Sequence, residues 1–274
     1  MSLFTIDESK CKKDGFCAAE CPVKIINFTD KTRVPAPIEG AEDLCIRCGH
    51  CVAVCPHAAL AHSEMTPAEC APVRDELRIS PEQAEQFLRH RRSIRNYRES
   101  AVGRETLERL IGMTRHAPSG HNTQLAEWLV VGDRNDVRKY AGMTVDWMKY
   151  MIKEQPAVVS GLHLDKIIAA WEAGMDLVCR DAPHLIAAHG PASNPMTRDS
   201  CTIALSYLEL AARAIDLGAC WAGYFSIAAA FWPPLKKALA LPEGNGVFGS
   251  LMIGYPKYRY HRIPLRNEPK IVWR

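Results

Sequence analysis

Cys45-Ile-Arg-Cys48-Gly-His-Cys51-Val-Ala-Val-Cys55-Pro56 is the stretch on which the reading of this 274-residue chain turns. Its spacing is C-x2-C-x2-C-x3-C-P without a departure. Eight of the 11 cysteines fall in the first 70 residues. The start, MSLFTIDESKCKK, has no apolar signal core, so a cytoplasmic chain is expected, and its cysteines are expected to bind metal rather than pair as disulfides. A structural zinc site needs only four ligands, usually as two separated pairs. Three cysteines at successive x2 spacings instead wrap one compact metal cluster in a tight loop.

Working back along the chain, Cys11-Lys-Lys-Asp14-Gly-Phe-Cys17-Ala-Ala-Glu-Cys21-Pro22 repeats that run at an offset of 34, with Asp14 in the place of the second cysteine. A glycine follows the second ligand position in both halves, Gly15 and Gly49, where the backbone must turn tightly and aim N–H groups at sulfur. The duplicated pattern resembles that of bacterial two-cluster ferredoxins, in which the fourth cysteine of each run reaches across to the other cluster. The resemblance implies that Cys45, Cys48, Cys51 and Cys21 hold a 4Fe-4S cluster. It implies that Cys11, Cys17 and Cys55 hold a second, either 4Fe-4S or 3Fe-4S, its fourth iron bound by the Asp14 carboxylate, bound by solvent, or absent. Carboxylate is a harder ligand than thiolate, so this corner is the labile one. Cys70 stands outside both runs and reads as a free thiol.

Composition splits at the same place. The chain is 47% hydrophobic and 24% charged, as in a globular protein, and its net charge of +3 is too small to argue for a nucleic-acid surface. Residues 1–75 carry 8 Lys+Arg against 11 Asp+Glu, so the acidic end precedes a basic remainder. The longest mostly apolar stretch, Thr202 to Trp232, is interrupted by Glu209, Arg213 and Asp216, which leaves no run able to span a bilayer. Three regions are expected: an iron-sulfur domain over 1–62, a polar linker over 63–79 and a larger domain over 80–274.

The larger domain opens on Ser80-Pro81-Glu82-Gln83, an N-cap, a proline at the first helical position and a glutamine three residues after the cap. This helix leads into Arg91-Arg92-Ser93-Ile94-Arg95, either a solvated basic face or an anion site, since guanidinium matches phosphate oxygens bidentately. Leu107, Leu110, Ile111 and Thr114 predict a second helix that ends before Pro118. The turn Pro118-Ser119-Gly120-His121-Asn122-Thr123-Gln124 precedes an apolar strand, Trp128 to Val131. Further strands are expected at 185–189 and 247–253, with a helix between them whose Ile203, Tyr207, Leu210 and Ala214 share one face. Strands interleaved with helices make the domain α+β or α/β. Trp147, Tyr150, Met151, Trp171 and Met175 read as helix core or dimer contact in preference to an apolar lid, and Cys220 as packing rather than nucleophile.

Four motifs in order, Arg91-Arg92-Ser93-Ile94-Arg95, Pro118-Ser119-x-x-Asn122-x-Gln124, Gly218-Ala-Cys-Trp-Ala-Gly223 and Gly254-Tyr-Pro, resemble the nitroreductase family of FMN enzymes. The resemblance implies an α+β homodimer with helices around a central mixed sheet and FMN at the dimer interface. It implies that Arg91, Arg92 and Ser93, with Arg95 beside them and Arg262 from the tail, grip the phosphate and ribityl chain. Pro118, Ser119, Gly120, Asn122 and Gln124 then approach the flavin from the partner subunit. Ala222 and Gly223 offer backbone N–H groups near the flavin N5. The family's Pro-Trp after the glutamine is Leu125-Ala126 here, and a lysine often found near the tail arginine is Tyr260.

The expected function is that of a flavin oxidoreductase with its own electron wire, ferredoxin-type clusters feeding FMN and FMN reducing a small organic acceptor such as a nitroaromatic or a quinone. FMN exchanges one or two electrons and supplies the chemistry, so no catalytic side chain is assigned. The donor is NAD(P)H or reduced ferredoxin; no Gly-x-Gly-x-x-Gly follows a strand, so no separate dinucleotide domain is expected. An electron-transfer or redox-sensing protein without a dedicated substrate is the alternative, and a flavin-fragmenting enzyme uses the same fold. No nucleic-acid or membrane partner is expected.

Overall fold

The computed structural model describes residues 2–274. It divides into two units. The first runs through Ile79 and takes in His121–Thr123; the second comprises Ser80–Gly120 and Gln124–Arg274.

The first unit is built from short pieces: β1 (Phe4–Ile6), α1 (Phe16–Glu20), β2 (Ile26–Asn27), β3 (Ala36–Pro37), α2 (Ala41–Leu44), α3 (His50–Ala53) and β4 (Leu60–His62). β1 pairs antiparallel with β4, Phe4 opposite His62, and β2 with β3, Ile26 opposite Pro37. The two cysteine runs occupy equivalent places, because α1 and α3 each begin after a left-handed glycine, Gly15 at φ 78° and Gly49 at φ 72°. A Cβ on Gly15 would meet the Phe28 ring at 2.9 Å, and one on Gly49 the Met65 sulfur at 2.6 Å. Conformation and space both select glycine there. So small a unit has a thin core, chiefly Leu3, Phe4, Ile25, Ile26, Val52 and Leu60, which Cys17 and Cys21 join.

In the second unit, α4 (Pro81–His90) starts as the sequence predicts. Gln83 N–H donates to Ser80 Oγ at 3.2 Å while Ser80 N–H donates to Gln83 Oε1 at 2.8 Å, a complete capping box. There follow α5 (Arg104–Thr114), β5 (Glu127–Val131), α6 (Arg134–Glu154), α7 (Pro156–Val159), α8 (Leu164–Glu172), β6 (His184–Pro191), α9 (Thr197–Ala214), β7 (Gly218–Trp221), α10 (Gly223–Phe231), α11 (Pro233–Leu239) and β8 (Asn245–Gly254). The strand order is β5-β6-β8-β7. Alternation along β6 sends Leu185 and Ala187 into a core shared with α6, α8, α10 and α11, and Ile186 and Ala188 into a second core shared with α5 and α9. Helices therefore cover both faces of the sheet, and the class is α+β. Trp147 is buried in the first of these cores and Trp171 and Met151 pack against it, whereas Tyr150 and Met175 are exposed.

Two expectations need correction. Within this chain the sheet is antiparallel at every ladder rather than mixed. β6 and β7 do run parallel, joined through α9, but β8 inserts between them and turns one parallel pairing into two antiparallel ones. The face of α9 that packs inward is also not the expected one. Cys201, Ala204, Leu205, Leu208 and Ala212 are buried, while Tyr207 on the Ile203-Tyr207-Leu210-Ala214 face is 43% exposed. Both stripes satisfy helical periodicity, and packing against α5 and the sheet chooses the one with smaller side chains.

Candidate functional site

The cysteine runs fold around two separate hollows. One is lined by Cys21, Cys45, Cys48 and Cys51 with His62 at its wall. The other is lined by Cys11, Asp14, Cys17 and Cys55 with His57. Cys21 of the first run thus lines the hollow of the second run, and Cys55 of the second run that of the first. Among the described residues no three of His, Cys, Asp and Glu gather tightly enough to hold a single metal ion; the thiols ring the hollows instead. Among the described residues no cysteine forms a disulfide, and Cys70 is exposed.

Hydrogen-bond donors converge on the sulfurs. Arg47 N–H donates to Cys45 Sγ at 3.4 Å and Ala59 N–H to Cys55 Sγ at 3.3 Å, while His62 Nε2 lies 3.6 Å from Cys45 Sγ. Burial, with Cys48 and Cys45 alongside, pushes the Cys51 thiol up to about 11, and burial likewise raises Cys17. Thiols held this way bind metal only by giving up protons, and donors at sulfur stabilise the resulting thiolates. This donor set fits iron-sulfur clusters. Asp14 sits at the second hollow with its carboxylate 3.7 Å from His57 Nε2, and it also accepts the Phe16 N–H at 3.1 Å.

In the second unit a cavity of about 740 Å³ is lined by His90, Arg91, Arg92, Arg98, Glu209, Arg213 and the tail from Tyr255 to Tyr260. A neighbouring cavity of about 940 Å³ shares His90, Arg213 and Tyr260 with it and adds Arg262. Loss of solvent first, and then the charges of Arg266 and Arg91, shift the Arg92 guanidinium downward. Such a pocket suits the phosphate of a flavin nucleotide. Arg91, however, is already partnered: its Nη1 lies 2.6 Å from Glu209 Oε1, and Trp221 Nε1 donates to Glu209 Oε2 at 3.2 Å. Sequence reasoning missed Glu209 as a site residue. The available signal was a carboxylate on an otherwise apolar helix stretch, buried in α9.

The remaining expected flavin contacts are dispersed. Ser93 and Arg95 adjoin Cys220, whose thiol burial raises and Arg95 lowers. Ala222 N–H donates to Ser250 O at 3.0 Å and is spent within the fold; Gly223, next along, is exposed, and a Cβ there would meet nothing within 4 Å. Pro118 is exposed, and Ser119 Oγ accepts the Gln124 N–H at 2.9 Å. His121, Asn122 and Gln124 all take left-handed backbone, φ 51°, 55° and 48°, which non-glycine residues rarely adopt. Within the first unit, Asn122 Nδ2 donates to the carbonyls of Ile46 at 3.2 Å and Arg47 at 3.0 Å. The amide expected at a flavin is thus engaged beside Cys45 and Cys48.

Fold and site together define a protein of two modules, one with two thiol-ringed hollows and one with a basic cavity. The comparisons agree. The nitroreductase family model matches residues 88–255 and the 4Fe-4S dicluster domain model residues 9–59. The chain belongs to the nitroreductase family and carries a ferredoxin-type dicluster domain ahead of it. It is 29% identical over 167 residues, 61% of this chain and 82% of the other, to an Archaeoglobus fulgidus protein named as an NADH dehydrogenase/NAD(P)H nitroreductase. It is 39% identical over 57 residues, 21% of this chain and 67% of the other, to the 7Fe ferredoxin of Hydrogenibacillus schlegelii. Among solved structures, a Bacteroides fragilis nitroreductase with bound FMN shares the fold at a TM-score of 0.57 and 16% identity, over 70% of this chain and 99% of that one.

Proposed function

We propose that the protein is an iron-sulfur flavoprotein oxidoreductase, in which ferredoxin-type clusters pass electrons to FMN and FMN reduces a small organic acceptor, a nitroaromatic or a quinone. The observation that carries this reading is the pairing, in one chain, of two thiol-ringed hollows with a basic cavity headed by Arg91 and Arg92. The donor is NAD(P)H or reduced ferredoxin; the relative named for NAD(P)H supports the first and the cluster domain the second. Cys21, Cys45, Cys48 and Cys51 hold a 4Fe-4S cluster. Cys11, Cys17 and Cys55 hold the second, and both Asp14 in the ligand slot and the similarity to a 7Fe ferredoxin support 3Fe-4S there.

Arg91, Arg92 and Arg262 bind the FMN phosphate, with Ser93 and Arg95 alongside. Gly223 leaves room at the flavin edge, and the loop bearing Pro118, Ser119, Gly120 and Gln124 completes the pocket from a second copy. The protein acts as a cytoplasmic homodimer; no helix of the described residues is long and apolar enough to cross a membrane. Anaerobic titration of the loaded protein with NADH, NADPH and reduced ferredoxin in parallel tests this reading. Flavin reduction by at least one donor, followed by turnover of a flat acceptor, is the expected result. Reduction of clusters and flavin without turnover of any nitroaromatic or quinone favours a carrier or sensor instead.

A further inference from the structure

His62 is nowhere in the cysteine pattern, yet it is 5% exposed at the wall of the hollow lined by Cys21, Cys45, Cys48 and Cys51. Its two ring nitrogens face different partners. Glu64 N–H donates to Nδ1 at 3.1 Å, and Nε2 lies 3.6 Å from Cys45 Sγ. A nitrogen that accepts an amide N–H carries no proton of its own. The ring is therefore the neutral tautomer protonated at Nε2, and that proton points at the sulfur. The β1–β4 ladder, in which Phe4 lies opposite His62, sets the His62 backbone beside this hollow.

We infer that His62 is a potential-setting residue for the cluster held by Cys21, Cys45, Cys48 and Cys51: through Nε2–H it donates to the Cys45 thiolate and favours the reduced state. This rests on the assignment of those four cysteines as ligands. One-electron reduction, by ferredoxin or by dithionite in the experiment, makes no bond and breaks none, and His62 keeps its proton throughout. The added charge resides partly on the thiolates, so a fixed N–H dipole aimed at Sγ stabilises the reduced form more than the oxidised one and raises the potential. Arg47 N–H supplies a second donor to the same sulfur. Cys45 therefore collects two donors, one of which a single side-chain substitution removes.

The test is a redox titration of the intact, loaded protein followed by EPR, with iron and sulfide counted on the same samples. His62→Leu removes the donor; His62→Gln keeps an N–H on a shorter side chain. The expected result is unchanged iron and sulfide, with the potential of one cluster lowered in the leucine variant by about tenfold in the one-electron equilibrium, roughly 59 mV. The other cluster should be unmoved and the glutamine variant intermediate. An unshifted potential with full iron overturns the inference. If the leucine variant does not hold iron, protein labelled with 15N-histidine decides. The reduced cluster of the unmutated chain should show weak coupling to one histidine nitrogen, lost in His62→Gln. No coupling, or the strong coupling of a direct ligand, overturns the inference. Absence of iron and sulfide from the unmutated chain would instead overturn the ligand assignment, a distinguishable failure.

Discussion

Arg91 and Glu209 stand 118 positions apart in the chain and 2.6 Å apart in the structure. Arg91 follows α4 directly, Glu209 lies inside α9, and Trp221 at the end of β7 donates to the same carboxylate. The arginine expected to grip a phosphate is thus held in place by a carboxylate whose charge opposes phosphate.

Arg91→Ala is therefore expected to have two separable effects. Removing a charged donor to phosphate should weaken FMN by about 1.5–3 kcal/mol while leaving riboflavin little affected. Removing the partner of a carboxylate that is only 9% exposed should lower stability by about 1–3 kcal/mol. The double variant Arg91→Ala, Glu209→Gln should recover the stability and not the FMN affinity. Thermal unfolding and flavin fluorescence on release measure the two; joint recovery would place the phosphate elsewhere.

Iron analysis checks the cluster assignment. Anaerobically prepared protein should hold about seven irons per chain with comparable acid-labile sulfide, because the hollow containing Asp14 offers three thiols. Asp14→Cys should raise the count to about eight and slow iron loss in air. An unchanged count and lability would deny Asp14 a place at the open corner.

Asn122→Ala removes two hydrogen bonds to the carbonyls of Ile46 and Arg47, between Cys45 and Cys48. The cost is about 1–2 kcal/mol, felt where the metal loop must hold its shape. Iron release to a chelator should quicken several-fold. Loss of flavin with unaltered iron release would show that the amide serves the flavin instead.

His184 supplies a pH dependence. Its Nε2 accepts the Val102 N–H at 2.7 Å, and burial lowers its pKa from 6.5. Above that value the ring is neutral whether folded or unfolded. Below it the unfolded chain binds the extra proton first, so stability rises with pH between the lowered value and 6.5 and falls on acidification through that window. Exchange at the Val102 amide, taken relative to its intrinsic rate at each pH, should quicken as pH falls below about 6.5. In His184→Gln, which keeps an acceptor but does not titrate, that acceleration should be absent; its persistence would clear His184 of the effect.

Much of the cluster module was legible because the relevant geometry is local. A C-x2-C-x2-C loop, a glycine in left-handed conformation and a single turn of helix are set by neighbours a few positions apart, and so is the Ser80-Gln83 capping box. Arg91 and Arg92 were likewise readable as a cationic pair. The inward face of α9 was not, because two stripes met the same periodicity and only the neighbouring α5 and sheet could choose between them.

The sequence by itself determined the two cysteine runs and their duplication, the division of charge and the order of the family motifs, all properties read directly along the chain. Only the tertiary structure decided that β8 inserts between β6 and β7, that Glu209 meets Arg91, that Asn122 spends its amide on Ile46 and Arg47, and that His62 Nε2 comes to 3.6 Å from Cys45 Sγ. Each of those depends on elements distant in sequence being packed together, and side-chain periodicity specifies which face is buried without specifying what it is buried against.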